Sequence, residues 1–284
     1  MVSLKRILKL SLFLTLIIFL IYNYARFIEP KLIAIKTSKI TSQYISKELS
    51  NIKIVQFSDT HISDYFTIKD LIKTVKKINK LNPDIVLFTG DLIDNYSEST
   101  IDSKKISYVL SLIDATLGKY SVYGNHDYGG GATRIYKEIM NDAGFKLLIN
   151  DSVYLKEYNL TITGLDDALF GNPDIDNITK FINKEAYNIL LCHEPDIIDY
   201  IADYNFDLAI SGHSHGEQVK IPFMDDIILP PLAKTYVKGM YELDSDREGK
   251  IYVNKGIGTS KIPFRFLAPP EITLFKFNIS KDGL

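Results

Sequence analysis

Two of the chain's five histidines stand one residue apart in Gly212-His213-Ser214-His215. On an extended segment residues i and i+2 share a face, with Cβ atoms roughly 7 Å apart, so the two imidazoles can each take a different member of a divalent pair about 4 Å apart. The tetrapeptide by itself fits two turn histidines beside a serine equally well, and the rest of the chain has to decide. His61, His126 and His193 each follow an apolar, strand-like run and have a carboxylate or amide beside or near them. Asp59 and His61 repeat the i, i+2 spacing and can chelate one ion together. Asp91, alone after its strand, can offer one oxygen to each of two ions. Oxygen and imidazole donors without thiolate suit Mn, Fe, Zn or Co. A lone histidine on a strand is more often a hydrogen-bonded core residue, but no histidine is left over for that role.

The elements that must carry these groups alternate. Strand patterns cover residues 52–58, 85–90, 119–124, 160–165, 188–192 and 207–211, and each ends at or next to a polar residue. Helical spacing covers 71–82, 103–118, 132–143, 176–184 and 196–204. Strands alternating with helices predict an α/β architecture with a site along one edge of the sheet. Beyond residue 216 come shorter strands and proline turns, with KTYVKGMYEL, KIYVNKG and EITLFKFNI expected as antiparallel strands. Cys192 falls on the opposite strand face from His193 and reads as core. Tyr128-Gly129-Gly130-Gly131 lacks the spacing of a dinucleotide fingerprint and reads as a flexible turn.

At 284 residues and 46% hydrophobic content the chain has ample material for a core. One cysteine excludes an internal disulfide. Formal charge is −2; Lys5, Arg6, Lys9 and Arg26 against Glu29 give the first thirty residues +3, leaving −5 on the remainder. Such a body is a poor non-specific partner for nucleic acid, whose affinity comes mostly from Lys and Arg on phosphates. Residues 7–24, ILKLSLFLTLIIFLIYNY, would span roughly 27 Å as a helix, with Lys9 able to snorkel and Tyr22 and Tyr24 suited to the other interface. No small-x-small cleavage site follows, so the expectation is an uncleaved transmembrane anchor. The division expected is an anchor over 1–27, a first strand and connection over 28–49, and one catalytic domain over 50–284.

The ordered series Asp59-x-His61, Gly90-Asp91, Gly124-Asn125-His126-Asp127, His193, Gly212-His213-Ser214-His215 resembles the calcineurin-like metallophosphoesterase superfamily block for block, from about residue 50 to 276. Its nearer likeness is to a bacterial branch with an N-terminal membrane or export segment, on GDLID (90–94), LLCHEP (190–195), GHSHGEQ (212–218), NKGIGTS (254–260) and PPEI (269–272). The resemblance implies a β-sandwich flanked by helices with the ligands on loops at strand ends. One ion would be held by Asp59, His61, Asp91 and His215, the other by Asp91, Asn125, His193 and His213. His126 would protonate the leaving oxygen, with Asp127 orienting it. Two departures stand out: Glu217 occupies a position that is usually glycine in that branch, and the leader carries Lys5-Arg6 in place of a twin arginine.

Two divalent ions lower the pKa of a water between them and offset the charge that builds on a phosphoryl group during in-line displacement. The expected function is therefore membrane-anchored hydrolysis of a phosphoester, a phosphodiester or pyrophosphate before a protein phosphate, on a small-molecule or lipid-linked substrate, with the domain outside the cytoplasm. The rivals are a metal-stabilised binding protein of the same fold, against which the intact His126 argues, and a nuclease, which the acidic body disfavours. Arg265 and Lys255 are cations near the site pattern but carry no assigned role.

Overall fold

A computed structural model describes residues 4–97, 101–129, 131–201, 205–222 and 229–280. In chain order the elements are α1 (Leu4–Asn23), β1 (Ala34–Ser42), β2 (Lys53–Phe57), α2 (Ile68–Asn79), β3 (Ile85–Phe88), α3 (Ser103–Ser111), β4 (Gly118–Ser121), α4 (Asn125–Gly129), α5 (Thr133–Asp142), β5 (Phe145–Leu147), β6 (Asp151–Leu155), β7 (Leu160–Gly164), α6 (Ile175–Ile178), β8 (Tyr187–Leu191), β9 (Leu208–Ser211), β10 (Gly239–Glu242), β11 (Lys250–Val253) and β12 (Glu271–Ile279).

The strands form two six-stranded mixed sheets, ordered β1-β12-β2-β3-β4-β5 and β10-β11-β9-β8-β7-β6. Side-chain alternation divides the core into three layers. Ile54, Leu87, Val122, Ile162, Ile189, Ile210 and Phe275 meet between the sheets. Val55, Phe57, Val86 and Phe88 face the other way, under Leu71 and Val75 of α2, Ile106 and Leu110 of α3, and Tyr136 and Ile139 of α5. On the far side of the second sheet Leu190, Cys192, Ala209, Ile251 and Val253 pack against Ile197, Ile198 and Ile201. Strands covered on both faces explain why β2, β3, β8 and β9 are near-continuous apolar runs. Parallel β2-β3-β4 and β7-β8-β9 all end on one edge, and the polar candidates leave from that edge.

Several local expectations change. Helix α3 stops at Ser111, not near 118, because the Asn79 side chain caps the turn beyond it: its amide donates to the Leu112 carbonyl at 2.8 Å and its oxygen accepts from the Asp114 N–H at 3.1 Å. The helix expected over 196–204 is a 3-10 segment, Pro195–Tyr200, and the end of that range lies outside the described residues. The C-terminal strands are not uniformly antiparallel. β11 runs parallel to β9 and β12 parallel to β1, while the β10-β11 and β12-β2 pairs are antiparallel.

At the N-terminus, α1 covers most of the range expected for the anchor and has no buried residue. Among the described residues, however, no helix is long and apolar enough to cross a membrane, so the transmembrane span is not established. Lys5, Arg6 and Lys9 interrupt its first turns, and the uncharged part of the helix runs from Leu10 to Asn23.

Candidate metal centre

Five of the candidates sit on backbone that strands and helices do not use. Asp59 (φ 51°), His61 (φ 42°), Asp91 (φ 59°), His213 (φ 69°) and His215 (φ 52°) are all left-handed. The extended i, i+2 geometry expected for Asp59/His61 and for His213/His215 is therefore absent, and the loops curl back on themselves. Each such residue costs on the order of 1 kcal/mol or more, which persists only where the surroundings hold it. Here they do. Asp59 N–H donates to the Gly90 carbonyl at 2.9 Å, His61 N–H to the Asp91 carbonyl at 3.1 Å, and His213 N–H to the Asp59 carboxylate at 3.0 Å. Two glycines permit the crowding. A Cβ on Gly212 would lie 2.2 Å from Ser58 Oγ, and one on Gly124 2.3 Å from Asp91 Oδ1.

The side chains converge. Asp91 Oδ2 lies 3.4 Å from His61 Nε2 and 3.2 Å from His193 Nε2, so one carboxylate oxygen stands between two imidazoles delivered by different sheets. His215 Nε2 is 3.0 Å from His61 Nε2 and 3.6 Å from Asp59 Oδ1. Potential ligand atoms gather in compact groups: Asp59 with His61 and His215, Asp91 with His193 and His213, and between them His61, Asp91 and His126.

Outer partners fix the imidazole tautomers. His193 Nδ1 donates to the Thr89 carbonyl at 2.6 Å and His213 Nε2 to the Pro231 carbonyl at 2.8 Å, so each ring presents its other nitrogen as a lone pair. His61 Nδ1 meets Asp94 Oδ1 at 2.9 Å. His193 Nε2 and Asn125 Oδ1 are buried with no hydrogen-bond partner. An orphaned imidazole lone pair and an orphaned amide oxygen beside two carboxylates are acceptors without a donor, and the donor set fits divalent metal.

For Asp91, His213 and His215 the electrostatics agree with that fit, and for Asp59 and His193 they oppose it. Burial and the neighbouring Asp91 charge raise the Asp59 carboxyl above its ordinary range, against the pull of His193 and His61. Burial works against the Asp91 carboxylate too, but His193, His126 and His61 outweigh it and hold the group well below the usual range. Burial and the charge of His193 press His213 down to about 3, and burial with His61 and Arg265 holds His215 well below normal. A charged Asp91 and neutral His213 and His215 are the protonation states that bind metal, whereas His193, where burial is outweighed by the Asp91 and Asp59 charges, is raised well above its ordinary value and must give up a proton to a metal.

His126 is placed differently. Its Nδ1 donates to the backbone carbonyl of Asp94 at 2.6 Å, and its N–H donates to Asp91 Oδ1 at 2.8 Å. Asp127 does not orient the ring. Its carboxylate is occupied by the N–H groups of Asp91, Leu92 and Gly124 at 2.9, 3.0 and 2.9 Å, and it braces the loops that carry Asp91 and His126. The orienting residue is Asp94, which sequence reasoning missed, although the signal was present as the second carboxylate of GDLID.

Arg265 is fully buried, and its guanidinium donates to the carbonyls of Gly258, Lys255 and Ala268 while lying 3.3 Å from His215 Nδ1. Lys255 pairs with Glu271 at 3.4 Å. Glu217 adopts φ 77°, a left-handed backbone that favours glycine, and its carboxylate is held by Lys238 at 2.8 Å and Lys220 at 3.0 Å.

A family model described as Calcineurin-like phosphoesterase matches residues 52–217. The chain is 42% identical over 257 residues to the uncharacterized metallophosphoesterase YkuE of Bacillus subtilis, covering 89% of this chain and 88% of that one. It is 34% identical over 281 residues to an uncharacterized metallophosphoesterase of Helicobacter pylori, covering 96% and 71%. It is 27% identical over 316 residues to the UDP-2,3-diacylglucosamine pyrophosphatase LpxG of Chlamydia muridarum, covering 90% and 93%.

Proposed function

This chain belongs to the calcineurin-like phosphoesterase family and is a metal-dependent phosphoester hydrolase; from that premise we propose that it holds two divalent ions and cleaves a phosphodiester or pyrophosphate bond of a small-molecule or lipid-linked substrate at a membrane. The observation that carries the two-ion reading is the position of Asp91 Oδ2 between His61 Nε2 and His193 Nε2, with the latter nitrogen orphaned. Asp59, His61, Asp91 and His215 would hold one ion, and Asp91, Asn125, His193 and His213 the other, drawn from Mn, Fe, Zn or Co. Bound there, the pair would activate water and offset charge on the phosphoryl oxygens.

The chain's own groups supply the rest. With Nδ1–H committed to the Asp94 carbonyl, His126 delivers a proton from Nε2 as the imidazolium, a form that burial opposes but the Asp91 charge and the Asp94 carbonyl favour more strongly, to a departing alkoxide or phosphate oxygen. The bond from its backbone N–H to Asp91 Oδ1 keeps it within one residue's reach of the metal-binding groups. The pyrophosphate and lipid-linked reading draws on the likeness to LpxG, and the net −5 of the body supports a small or lipid-borne substrate over nucleic acid. For membrane attachment the support is the exposed apolar surface of α1. A domain outside the cytoplasm draws on the resemblance to the membrane-anchored bacterial branch, since Lys5, Arg6 and Lys9 on one flank are matched by Arg26, Lys31, Lys36 and Lys39 on the other. Protease added to intact spheroplasts should remove the domain, and full protection would refute this topology.

The deciding assay is turnover by metal-loaded full chain of a nucleoside diphosphate-sugar, bis-p-nitrophenyl phosphate and a panel of phosphomonoesters. Cleavage of the first or second with weak monoesterase activity supports the reading. Monoesterase activity alone overturns the bond class, and no turnover of any substrate would favour the binding-protein alternative.

A further inference from the structure

We infer that an apolar collar formed by the end of α1 and the segment around residues 262–267 rests on the surface of a lipid bilayer, so that the metal-binding loops work beside the headgroup layer. This rests on the membrane attachment proposed above and adds a second, independent contact to it.

The collar is continuous. Tyr22 and Tyr24 meet Phe264 and Phe266 edge-on, with ring centroids 5.4 and 6.4 Å apart. Arg265 N–H donates to the Ala25 carbonyl at 2.9 Å, and the N–H groups of Leu267 and Ala268 donate to the buried Glu29 carboxylate at 3.0 and 2.6 Å. The Arg26 guanidinium lies among the rings of Phe27, Tyr65 and Phe264, 4.9, 5.0 and 5.9 Å from their centroids. Backbone pairing of Phe266 with Gln218 and Lys220 brings Ile221 to the same edge. Around this rigid junction Phe27, Ile28, Tyr65, Ile262 and Leu267 are each half or more exposed, and Ile221 is exposed beside them.

The occupant follows from continuity with α1. That helix exposes Leu10, Leu12, Phe13, Leu14, Leu16, Ile18, Phe19 and Leu20, so apolar side chains run round its whole circumference. A protein groove covers one face of a helix, whereas lipid covers all of them. Arg26 and Lys261 suit headgroup phosphates, and Tyr22, Tyr24 and Tyr65 suit the interfacial zone. The segment that carries the collar also carries Arg265, whose guanidinium reaches the His215 ring at 3.3 Å. One side chain therefore separates the proposed bilayer contact from a candidate ligand, which places a lipid-borne phosphoester within reach of the centre.

The test uses single cysteines in the full chain. Cys192 is buried and its thiol is pushed up to about 12, so it does not compete for label. Ile262→Cys, Leu267→Cys, Leu14→Cys and Tyr108→Cys are labelled with a polarity-sensitive dye and placed in phosphatidylethanolamine and phosphatidylglycerol vesicles containing a headgroup-proximal nitroxide lipid. Melting temperatures close to wild type establish that each variant is folded. Quenching at positions 262 and 267 is expected to exceed that at 108, which lies on α3, by roughly twofold or more. Quenching at 14 with positions 262 and 267 no different from 108 overturns the collar and leaves the helix attachment standing. Loss of quenching at all positions overturns the attachment itself. Disulfide cross-linking between copies at 262 or 267 without lipid quenching would assign the surface to a second copy and overturn the inference.

Discussion

The backbone carbonyl of Asp94 accepts the Nδ1 proton of His126 at 2.6 Å, while the Asp94 carboxylate meets His61 Nδ1 at 2.9 Å. One residue thus orients both the ring proposed for proton delivery and a ring proposed to hold metal, by two different groups that mutation can separate.

His126→Ala should retain bound metal and the fold but lose roughly 10² to 10⁴ in rate on substrates with alkoxide leaving groups. A nitrophenolate leaves without a proton, so activity on an aryl phosphoester should fall much less. Parallel kinetics on both substrates with metal analysis make the check, and equal loss with metal gone would make His126 a ligand.

Asp94→Asn removes the carboxylate behind His61 and keeps the carbonyl behind His126. Metal affinity should drop about 10- to 100-fold at one site, and activity should return at high metal concentration. A rate defect that persists under metal saturation would show that the side chain acts beyond orienting His61.

Asp91→Asn should weaken both metal positions, and His61→Ala should disturb mainly one, since Asp91 Oδ2 lies 3.4 and 3.2 Å from His61 and His193 Nε2 whereas Asp59 Oδ1 approaches each only to 4.0 Å. Elemental analysis after dialysis against a fixed free-metal concentration measures this. A single ion per chain in well-loaded wild type would remove the two-ion assignment.

Away from the centre, Asp70 caps α2 by accepting from Thr67 N–H at 3.2 Å and Thr67 Oγ at 3.0 Å, and it holds Lys31 at 3.0 Å. Partial burial opposes its charge, but the Lys31 and Thr67 hydrogen bonds outweigh it and lower the carboxyl to about 2. A depressed folded-state pKa means that the contribution is full above the unfolded value near 4 and disappears as pH falls toward 2. Asp70→Ala should cost about 1 kcal/mol, a melting shift of about 2–4 °C at neutral pH. The gap to wild type should narrow in melts taken below pH 4, and a gap that holds constant down to the acid limit would contradict the assignment.

The sequence by itself determined which residues assemble at the centre and which layers carry them. Apolar runs such as Ile54–Phe57 and Ile85–Phe88 announce strands through local composition. A polar residue at the end of each needs only parallel strands to be brought to one edge. Tertiary structure alone decided how those residues act. The left-handed backbone at Asp59, His61, Asp91, His213 and His215 replaces the extended spacing, because hydrogen bonds to the Gly90 carbonyl and across the loops offset its strain. Asp127 and Asp94 carry roles other than their sequence neighbourhood suggests: a carboxylate three backbone N–H groups can reach braces loops, and a carbonyl near a ring aims it. The end of α3 was hidden for the same reason, since its cap comes from Asn79 on another helix. Partners far apart in sequence leave no period in it, and their contacts exist only once the sheets have packed.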